Sequence, residues 1–150
     1  MSQAIRDNTS TFRPSTPLGR PPAATLWVLL SVLLTACAGD GNGRVAPEKL
    51  LAAIRDGTGP TIVDVRSEEE YVAGHVPGAI HIPFYSVWSG HSRIESGEHG
   101  PVVVYCEHGP RAGLAKFGFW TVGYDQILYL DGHMAGWKKR GLPMEKGSAE

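Results

Sequence analysis

The sequence predicts a single α/β domain in which a mainly parallel sheet is covered by helices on both faces. Short apolar runs rich in β-branched residues, at 61–65, 102–105 and 126–130, alternate with segments that carry helical signals. The 19 glycines and 11 prolines among 150 residues fit the many short connections of such a fold. The net charge of -1 at neutral pH gives no reason to expect nucleic acid as a partner.

The N-terminal part of the chain has the pattern of a targeting segment. Residues 1–22 are polar and proline-rich, whereas 23–36 are apolar, too short to span a bilayer comfortably but typical of a signal peptide. The apolar stretch ends in Leu-Thr-Ala-Cys37, which resembles a bacterial lipobox. This resemblance implies cleavage before Cys37, a lipid on its sulfur, and a place in the bacterial cell envelope, on the periplasmic face of the outer membrane. Residues 37–44 would then be a flexible tether. The alternatives are an uncleaved apolar anchor and an ordinary signal peptide cut near Ala36.

The first half of the domain contains two predicted helices and one strand. Residues 47–55 begin with a proline and carry an apolar stripe, which indicates a helix that ends before a glycine. A short strand is expected at 61–65. Ser67 and Glu70 have the spacing of a capping box, so a second, brief helix follows.

The second half ends in two predicted helices separated by a strand at 126–130. The first of these helices covers about 111–122, and Gly113 and Gly118 are expected to let it approach the sheet closely. Its buried face is expected to carry the large apolar residues Leu114, Phe117 and Trp120. The closing helix begins within 131–138 and is expected to bury Met134 and Trp137.

The stretch from Val102 to Lys116 carries the clearest chemical pattern. An apolar run ends on Cys106, a short polar turn follows, and a helix begins near Arg111. The cysteine would lie where backbone N–H groups converge at the positive end of a helix, which favours its nucleophilic thiolate form. Arg111 adds a positive charge at the far side of the loop. The alternative is a buried core cysteine, but the Gly-Pro-Arg turn favours the nucleophile.

These residues resemble the rhodanese (sulfurtransferase) family, in which a strand ends in a catalytic cysteine and the next residues form an anion-binding loop. The loop here runs from Cys106 to Arg111 and has six residues. Related phosphatases and arsenate reductases resemble this stretch, but their loop is one residue longer. The resemblance covers 45–143 as one domain and leaves 144–150 as a C-terminal tail. It implies a three-layer α/β fold with a mainly parallel five-stranded sheet.

Two further stretches resemble the same family. Residues 64–83 contain Asp-Val-Arg-Ser-Glu-Glu-Glu-Tyr and Gly-His-Val-Pro-Gly-Ala-Ile-His-Ile-Pro. Here the resemblance implies supporting roles, for Asp64 near the active loop and for Arg66 and Glu70 in the fold around it. The Leu-Asp-Gly-His stretch before the closing helix also resembles the family, with His133 where a second glycine is common.

The resemblance implies ping-pong sulfur transfer that needs no metal or organic cofactor. Cys106 takes a sulfane sulfur from a donor, thiosulfate or a persulfide, and passes it to a thiol acceptor. Arg111 has a catalytic role in this scheme, since its charge would stabilise an anionic donor or leaving group. The sequence does not determine which sulfur donor is used. The Glu107 carboxylate would repel a dianion such as thiosulfate if it faced the pocket. Thiosulfate is therefore only the default donor for an assay. Backbone N–H groups of the loop are expected to hold the anionic sulfur, and the substrate-binding set is Glu107, His108, Gly109, Pro110 and Arg111.

Three other functions stay open as alternatives. A non-catalytic envelope persulfide carrier or protein-interaction module would use the same fold, whereas phosphatase or arsenate reductase activity is disfavoured by loop length. A metal site is least favoured, since His75 and His81 have no cysteine or carboxylate at ligand spacing. The chain is expected to be a monomer that meets small sulfur donors and thiol acceptors, with membrane contact through its lipid only. Cys37 and Cys106 are not expected to form a disulfide.

Overall fold

The computed structural model describes residues 43–94 and 100–147. The expected signal peptide, Cys37 with most of the tether, and the last three residues of the tail lie outside this range. No helix in the described part of the chain is long and apolar enough to cross a membrane.

Five strands in the described residues form one sheet, in the order β1-β5-β4-β2-β3, and every neighbouring pair is parallel. The strands are β1 Arg44–Val45, β2 Thr61–Asp64, β3 Ile80–His81, β4 Val102–Tyr105 and β5 Ile127–Leu130. The predicted parallel, five-stranded α/β fold is therefore confirmed. Because all strands run the same way, their carboxyl ends share one edge of the sheet, and the loops that follow them meet there.

The described helices alternate with these strands. They are α1 Pro47–Arg55, α2 Glu68–Ala73, α3 Val87–Gly90, α4 Pro110–Thr121 and α5 His133–Lys139. Helix α2 begins with the predicted capping box: the Glu70 N–H donates to Ser67 Oγ at 3.4 Å, and the Ser67 N–H donates to Glu70 Oε2 at 3.1 Å. This box fixes the start of α2 two residues after the buried side chain of Arg66.

Helices cover both faces of the sheet, and alternate residues of each central strand point to different cores. Ile62 and Val103 belong to the core that α1, α2 and α5 cover. Val63 and Val104 belong to the core that α4 covers. As predicted, the closing helix has two side chains fully buried, Met134 and Trp137.

The buried face of α4 differs from the prediction. The three large residues expected inside are 60 to 65% exposed: Leu114, Phe117 and Trp120. The helix buries a narrower stripe instead, Ala112, Ala115, Gly118 and Phe119. Small residues on this stripe let helices approach closely, since a Cβ added to Gly118 would lie 3.1 Å from Cγ1 of Val87 in α3. Gly113 faces open space, so the expected close approach at that position is wrong.

Candidate active site

Cys106 directly follows β4 at the carboxyl edge of the sheet and is 1% exposed. The chain then turns through Gly109, whose φ of +124° is open to glycine far more readily than to other residues. This turn directs the Gly109 N–H at the sulfur of Cys106, with a nitrogen-to-sulfur distance of 3.0 Å. A hydrogen bond of this kind is stronger to an anionic sulfur than to a thiol, so the geometry of the loop suits a negatively charged sulfur.

Helix α4 starts at Pro110, the residue after this turn. Its positive end therefore faces the loop that contains the sulfur, which adds to the effect of the Gly109 N–H. Pro110 itself has no N–H, so it supplies no donor to the expected ring of backbone N–H groups. Pro110 instead fixes its own φ near the helical value, which favours the first turn of α4.

The other side of the loop is held by the start of α5. The Met134 N–H donates to the Cys106 carbonyl at 2.9 Å, and the Ala135 N–H donates to the Glu107 carbonyl at 3.2 Å. Since Met134 is fully buried in the core beneath, the loop is fixed to a rigid part of the domain. Both carbonyls are thus paired with backbone donors of α5, which holds this side of the loop in place.

The Glu107 side chain forms ion pairs with residues outside the loop. Its carboxylate accepts from Arg66 Nη1 at 3.2 Å and from Lys138 Nζ at 3.0 Å. Two cations thus offset the charge of this carboxylate. The repulsion of an anionic donor, which the sequence analysis considered possible, is therefore reduced. The contact between Glu107 and substrate stays a prediction. It would involve the backbone of Glu107 and not its side chain.

Asp64 and Arg66 form a buried ion pair next to the loop. Arg66 Nη2 lies 2.6 Å from Asp64 Oδ2 and also donates to the Gly74 carbonyl at 2.7 Å, and both charged side chains are at most 1% exposed. Burial on its own would lower the pKa of Arg66, but the hydrogen bonds and charge of Asp64 outweigh it and raise that pKa. Arg66 therefore stays charged, and its Nη1 contact with Glu107 joins the buried pair to the loop that follows Cys106.

Arg111 lies at the far side of the loop, where its guanidinium is engaged by Glu70. Two hydrogen bonds join them, at 2.5 and 2.9 Å. The hydrogen bond from Arg111 is the main cause that lowers the pKa of Glu70 to about 2. The same bond is the first cause of the raised pKa of Arg111, and the negative charge of Glu70 adds to it. A direct role of Arg111 on an anionic donor stays a prediction, since part of its charge is already offset.

A cavity of about 520 Å³ opens beside the loop. Its wall consists of two loop residues, one residue of β1, and four residues from β5 to the start of α5, namely His108, Gly109, Arg44, Tyr129, Asp131, Gly132 and His133. Of the predicted substrate-binding residues, the cavity brings together His108 and Gly109. Pro110 is placed at the start of α4 and Glu107 among its ion pairs.

His133 is a site residue that sequence reasoning noted only as a departure from glycine. It has φ +53° and is 7% exposed, an unusual combination for a residue that carries a Cβ. The Cys106 N–H lies 3.5 Å from its Nδ1, and a Cβ added to Gly109 would lie 3.2 Å from its Nε2. Burial first, and then the positive charge of Arg44, lower the pKa of His133, so the ring is neutral at pH 7. The signal in the sequence was the histidine at a position where glycine is common.

The two histidines considered as metal ligands are hydrogen-bonded parts of the fold. His75 Nδ1 lies 2.9 Å from the Tyr71 carbonyl oxygen, and His81 Nε2 lies 3.0 Å from that of Arg66. The Tyr71 ring stacks on both imidazoles, with centroid distances of 3.7 and 4.8 Å. Within 43–94 and 100–147, no group of three or more histidine, cysteine or acidic side chains is arranged to hold a metal ion.

Comparison with known proteins gives consistent matches. A family model described as rhodanese-like domain matches residues 46–140. An uncharacterized protein of Synechocystis is 31% identical over 105 residues, which are 70% of this chain but only 57% of that protein. The thiosulfate sulfurtransferase GlpE of Pseudomonas aeruginosa is 30% identical over 107 residues, 71% of this chain and 93% of its own length. Among solved structures, the rhodanese-like domain of an Anabaena protein aligns with a TM-score of 0.60 at 27% identity, over 71% of this chain and 80% of that domain.

Proposed function

The chain belongs to the rhodanese-like domain family, and from this premise we propose that it is a sulfurtransferase that works through a persulfide on Cys106. The observation that carries the proposal is the 3.0 Å contact between the Gly109 N–H and the cysteine sulfur, at the positive end of α4. This geometry favours negative charge on the cysteine sulfur before it is loaded, and the positive end of α4 also favours the anionic persulfide that follows. The relatives named as thiosulfate sulfurtransferases support the same reaction class.

The first half of the reaction loads the cysteine. The Cys106 thiolate attacks the outer sulfur of a donor such as thiosulfate, and a new sulfur–sulfur bond forms while the bond in the donor breaks. With thiosulfate, sulfite leaves with the electron pair. In the persulfide the negative charge lies on the outer sulfur, and the positive end of α4 next to the loop favours it.

The second half returns the enzyme to its starting state. An acceptor thiolate attacks the outer sulfur of the persulfide, and the bond to Cys106 breaks so that the cysteine leaves as thiolate. The acceptor gains the sulfane sulfur, and no external oxidant or reductant is needed. Thiosulfate and a low-molecular-weight persulfide are both donors to be assayed, because the ion pairs of Glu107 with Arg66 and Lys138 reduce its repulsion of an anionic donor.

A persulfide carrier that docks on another protein is the second candidate. It is favoured by the exposed apolar side chains of α4, the helix that begins at the catalytic loop, namely Leu114, Phe117 and Trp120. Such a carrier would load sulfur on Cys106 but turn over slowly with small acceptors. Partner binding would then be retained in Cys106→Ser.

The proposed location is the bacterial cell envelope, with Cys37 as the site of a lipid anchor. The support is the apolar stretch 23–36 with the lipobox-like sequence that ends on Cys37. Metabolic labelling with a fatty acid, compared between the natural protein and Cys37→Ser, tests this placement. Label on both proteins, or on neither, contradicts the proposed anchor.

The loading step is tested by intact mass. Reduced protein is incubated with thiosulfate, or with a small persulfide, beside Cys106→Ser as the control. A gain of one sulfur, about 32 Da, on the wild type alone is expected. Absence of the adduct with both donors, in protein whose thiol is shown to be free, would overturn the sulfurtransferase function.

A further inference from the structure

The cavity beside the loop shares a residue with the sulfur site. Gly109 lines the cavity and also donates its N–H to the Cys106 sulfur at 3.0 Å. A molecule in the cavity therefore lies against the same turn that holds the nucleophile. The volume of about 520 Å³ is within the range of sites for small molecules rather than for a single ion.

The outer wall of the cavity presents one positive and one negative side chain. Arg44 Nη1 and Asp131 Oδ1 are 4.0 Å apart, and the side chains are 45 and 53% exposed. At this distance and exposure the two groups neutralise each other only weakly, so both can bind a ligand. The Arg44 guanidinium lies over the Tyr129 ring at 5.6 Å, which holds it at the cavity wall.

The inner wall is formed by a histidine whose backbone conformation is unfavourable. His133 has φ +53°, and it would be less strained as glycine. Its buried ring lies against Gly109 and the Cys106 N–H, so it fills space next to the loop with a polar but uncharged group. The charged side chains of Arg44 and Asp131 thus lie at the exposed side of the cavity, and its buried side is formed by the His133 ring, which contacts the loop that holds the sulfur.

We propose that this cavity binds the sulfur acceptor, and that the acceptor is a small thiol with both a carboxylate and an ammonium group. Arg44 binds the carboxylate, Asp131 binds the ammonium group, and the thiol points to the buried side. The inference rests on the proposed sulfurtransferase function and names the acceptor class of the same site. In the step it describes, the acceptor thiol loses its proton to solvent, its sulfur bonds to the outer sulfur of the persulfide, and Cys106 leaves as thiolate.

The test compares four acceptors that differ in charge. They are cysteine, 3-mercaptopropionate, cysteamine and 2-mercaptoethanol, each assayed with saturating thiosulfate. For every protein, kcat/KM with a charged acceptor is divided by kcat/KM with 2-mercaptoethanol. Comparison of this ratio between proteins cancels the intrinsic reactivity of each thiol, because the same thiol is used throughout.

Arg44→Gln is expected to lower the ratio for 3-mercaptopropionate and cysteine about threefold to fivefold, the effect of losing one partly exposed charge contact. Asp131→Asn is expected to lower the ratio for cysteamine and cysteine by a similar factor. The matched controls are Arg55→Gln and Asp56→Asn, which remove the same charges from the exposed end of α1. The controls are expected to leave all ratios as in the wild type.

The outcomes separate this inference from the proposed function. If thiosulfate adds no sulfur to Cys106 in the wild type, the sulfurtransferase proposal fails, and the acceptor inference fails with it. If the wild type loads sulfur and turns over with cyanide, but neither Arg44→Gln nor Asp131→Asn changes any ratio, only the acceptor inference is overturned. The same holds if both variants lower all ratios equally, since charge recognition would then not be the cause.

Discussion

The guanidinium of Arg111 donates two hydrogen bonds to the carboxylate of Glu70, at 2.5 and 2.9 Å, across 41 residues of sequence. Glu70 also closes the capping box of α2 through the Ser67 N–H. One carboxylate thus joins the start of α2 to the first turn of α4, the helix that follows the Cys106 loop. The side chains are about one-third exposed, so the pair is partly screened by solvent.

Glu70→Gln is expected to make the free energy of unfolding less dependent on pH below about pH 4.5. The pKa of Glu70 is about 2 in the folded protein and close to 4.5 when unfolded, so the unfolded state binds the proton first as the pH falls. The stabilisation is therefore complete above pH 4.5 and is lost towards pH 2. We expect the substitution to cost about 1 kcal/mol at pH 7, after allowance for screening.

Urea unfolding of both proteins between pH 7 and pH 2.5 measures this effect. The wild type should lose more stability than Glu70→Gln over the interval from pH 4.5 to 2.5. Parallel curves for the two proteins would show that the Arg111 pair does not perturb Glu70 as described.

Gly109→Ala is expected to reduce the proposed sulfur transfer about tenfold or more, because the N–H at this position donates to the Cys106 sulfur and would stabilise its thiolate form. The substitution forces a residue with a Cβ to φ +124° and places that Cβ 3.2 Å from His133 Nε2. The cost in stability should be about 1–2 kcal/mol. Gly113→Ala is the matched control inside α4, where the Cβ meets open space.

The rate of persulfide formation with thiosulfate and the urea midpoint are measured for both glycine variants. Gly113→Ala should keep the rate and gain about 0.5–1 kcal/mol in stability, since alanine is the better helix residue. A Gly109→Ala protein with the wild-type rate would mean that the turn is not needed for the sulfur site.

Arg66→Met is expected to destabilise the domain by about 3–5 kcal/mol, because it leaves the fully buried Asp64 carboxylate without its charged partner. Lys138→Met removes the other cation from Glu107, but at a side chain that is 44% exposed, so it should cost less than about 1 kcal/mol. Thermal and urea unfolding give both values. Equal effects of the two substitutions would contradict the difference in burial.

Phe117→Ala and Phe119→Ala, two residues apart on α4, should differ strongly in stability. Phe119 is fully buried, and its truncation is expected to cost about 3–5 kcal/mol. Phe117 is 60% exposed, so its truncation should cost about 0.5 kcal/mol or less. Chemical unfolding distinguishes this assignment from the opposite one, in which Phe117 would be the core residue.

Features that depend on neighbours in sequence were predictable. The capping box of Ser67 and Glu70, and the strand, loop and helix around Cys106, follow from local rules of spacing and turn chemistry. The buried face of α4 could not be predicted in this way. Its stripe of small residues packs close to Val87, but small residues give a weaker hydrophobic pattern in the sequence than the exposed Phe117. Local preference was overridden there by tertiary packing.

Contacts at the site between residues far apart in sequence could not be predicted from local patterns either. Glu107 meets Arg66 and Lys138, which are 41 and 31 residues away, so the direction of its carboxylate depended on the finished fold. His133 was visible in the sequence as a departure from glycine, but its contact with the loop requires the parallel pairing of β4 and β5. Strands β1 and β3, with two residues each, are too short to show a period.

The contact between His133 and Gly109 bears on how this domain can evolve. A seventh residue in the loop, which the resemblance links to larger oxyanions, would have to occupy space next to an imidazole that is already buried. The insertion and the loss of the ring are therefore coupled, and we expect phosphoester hydrolysis only when a loop insertion is combined with His133→Gly. Assay of each single change and of the combination would show whether this is so. A lineage that acquired the histidine would thus need two changes, rather than one, before its loop could accept a larger oxyanion.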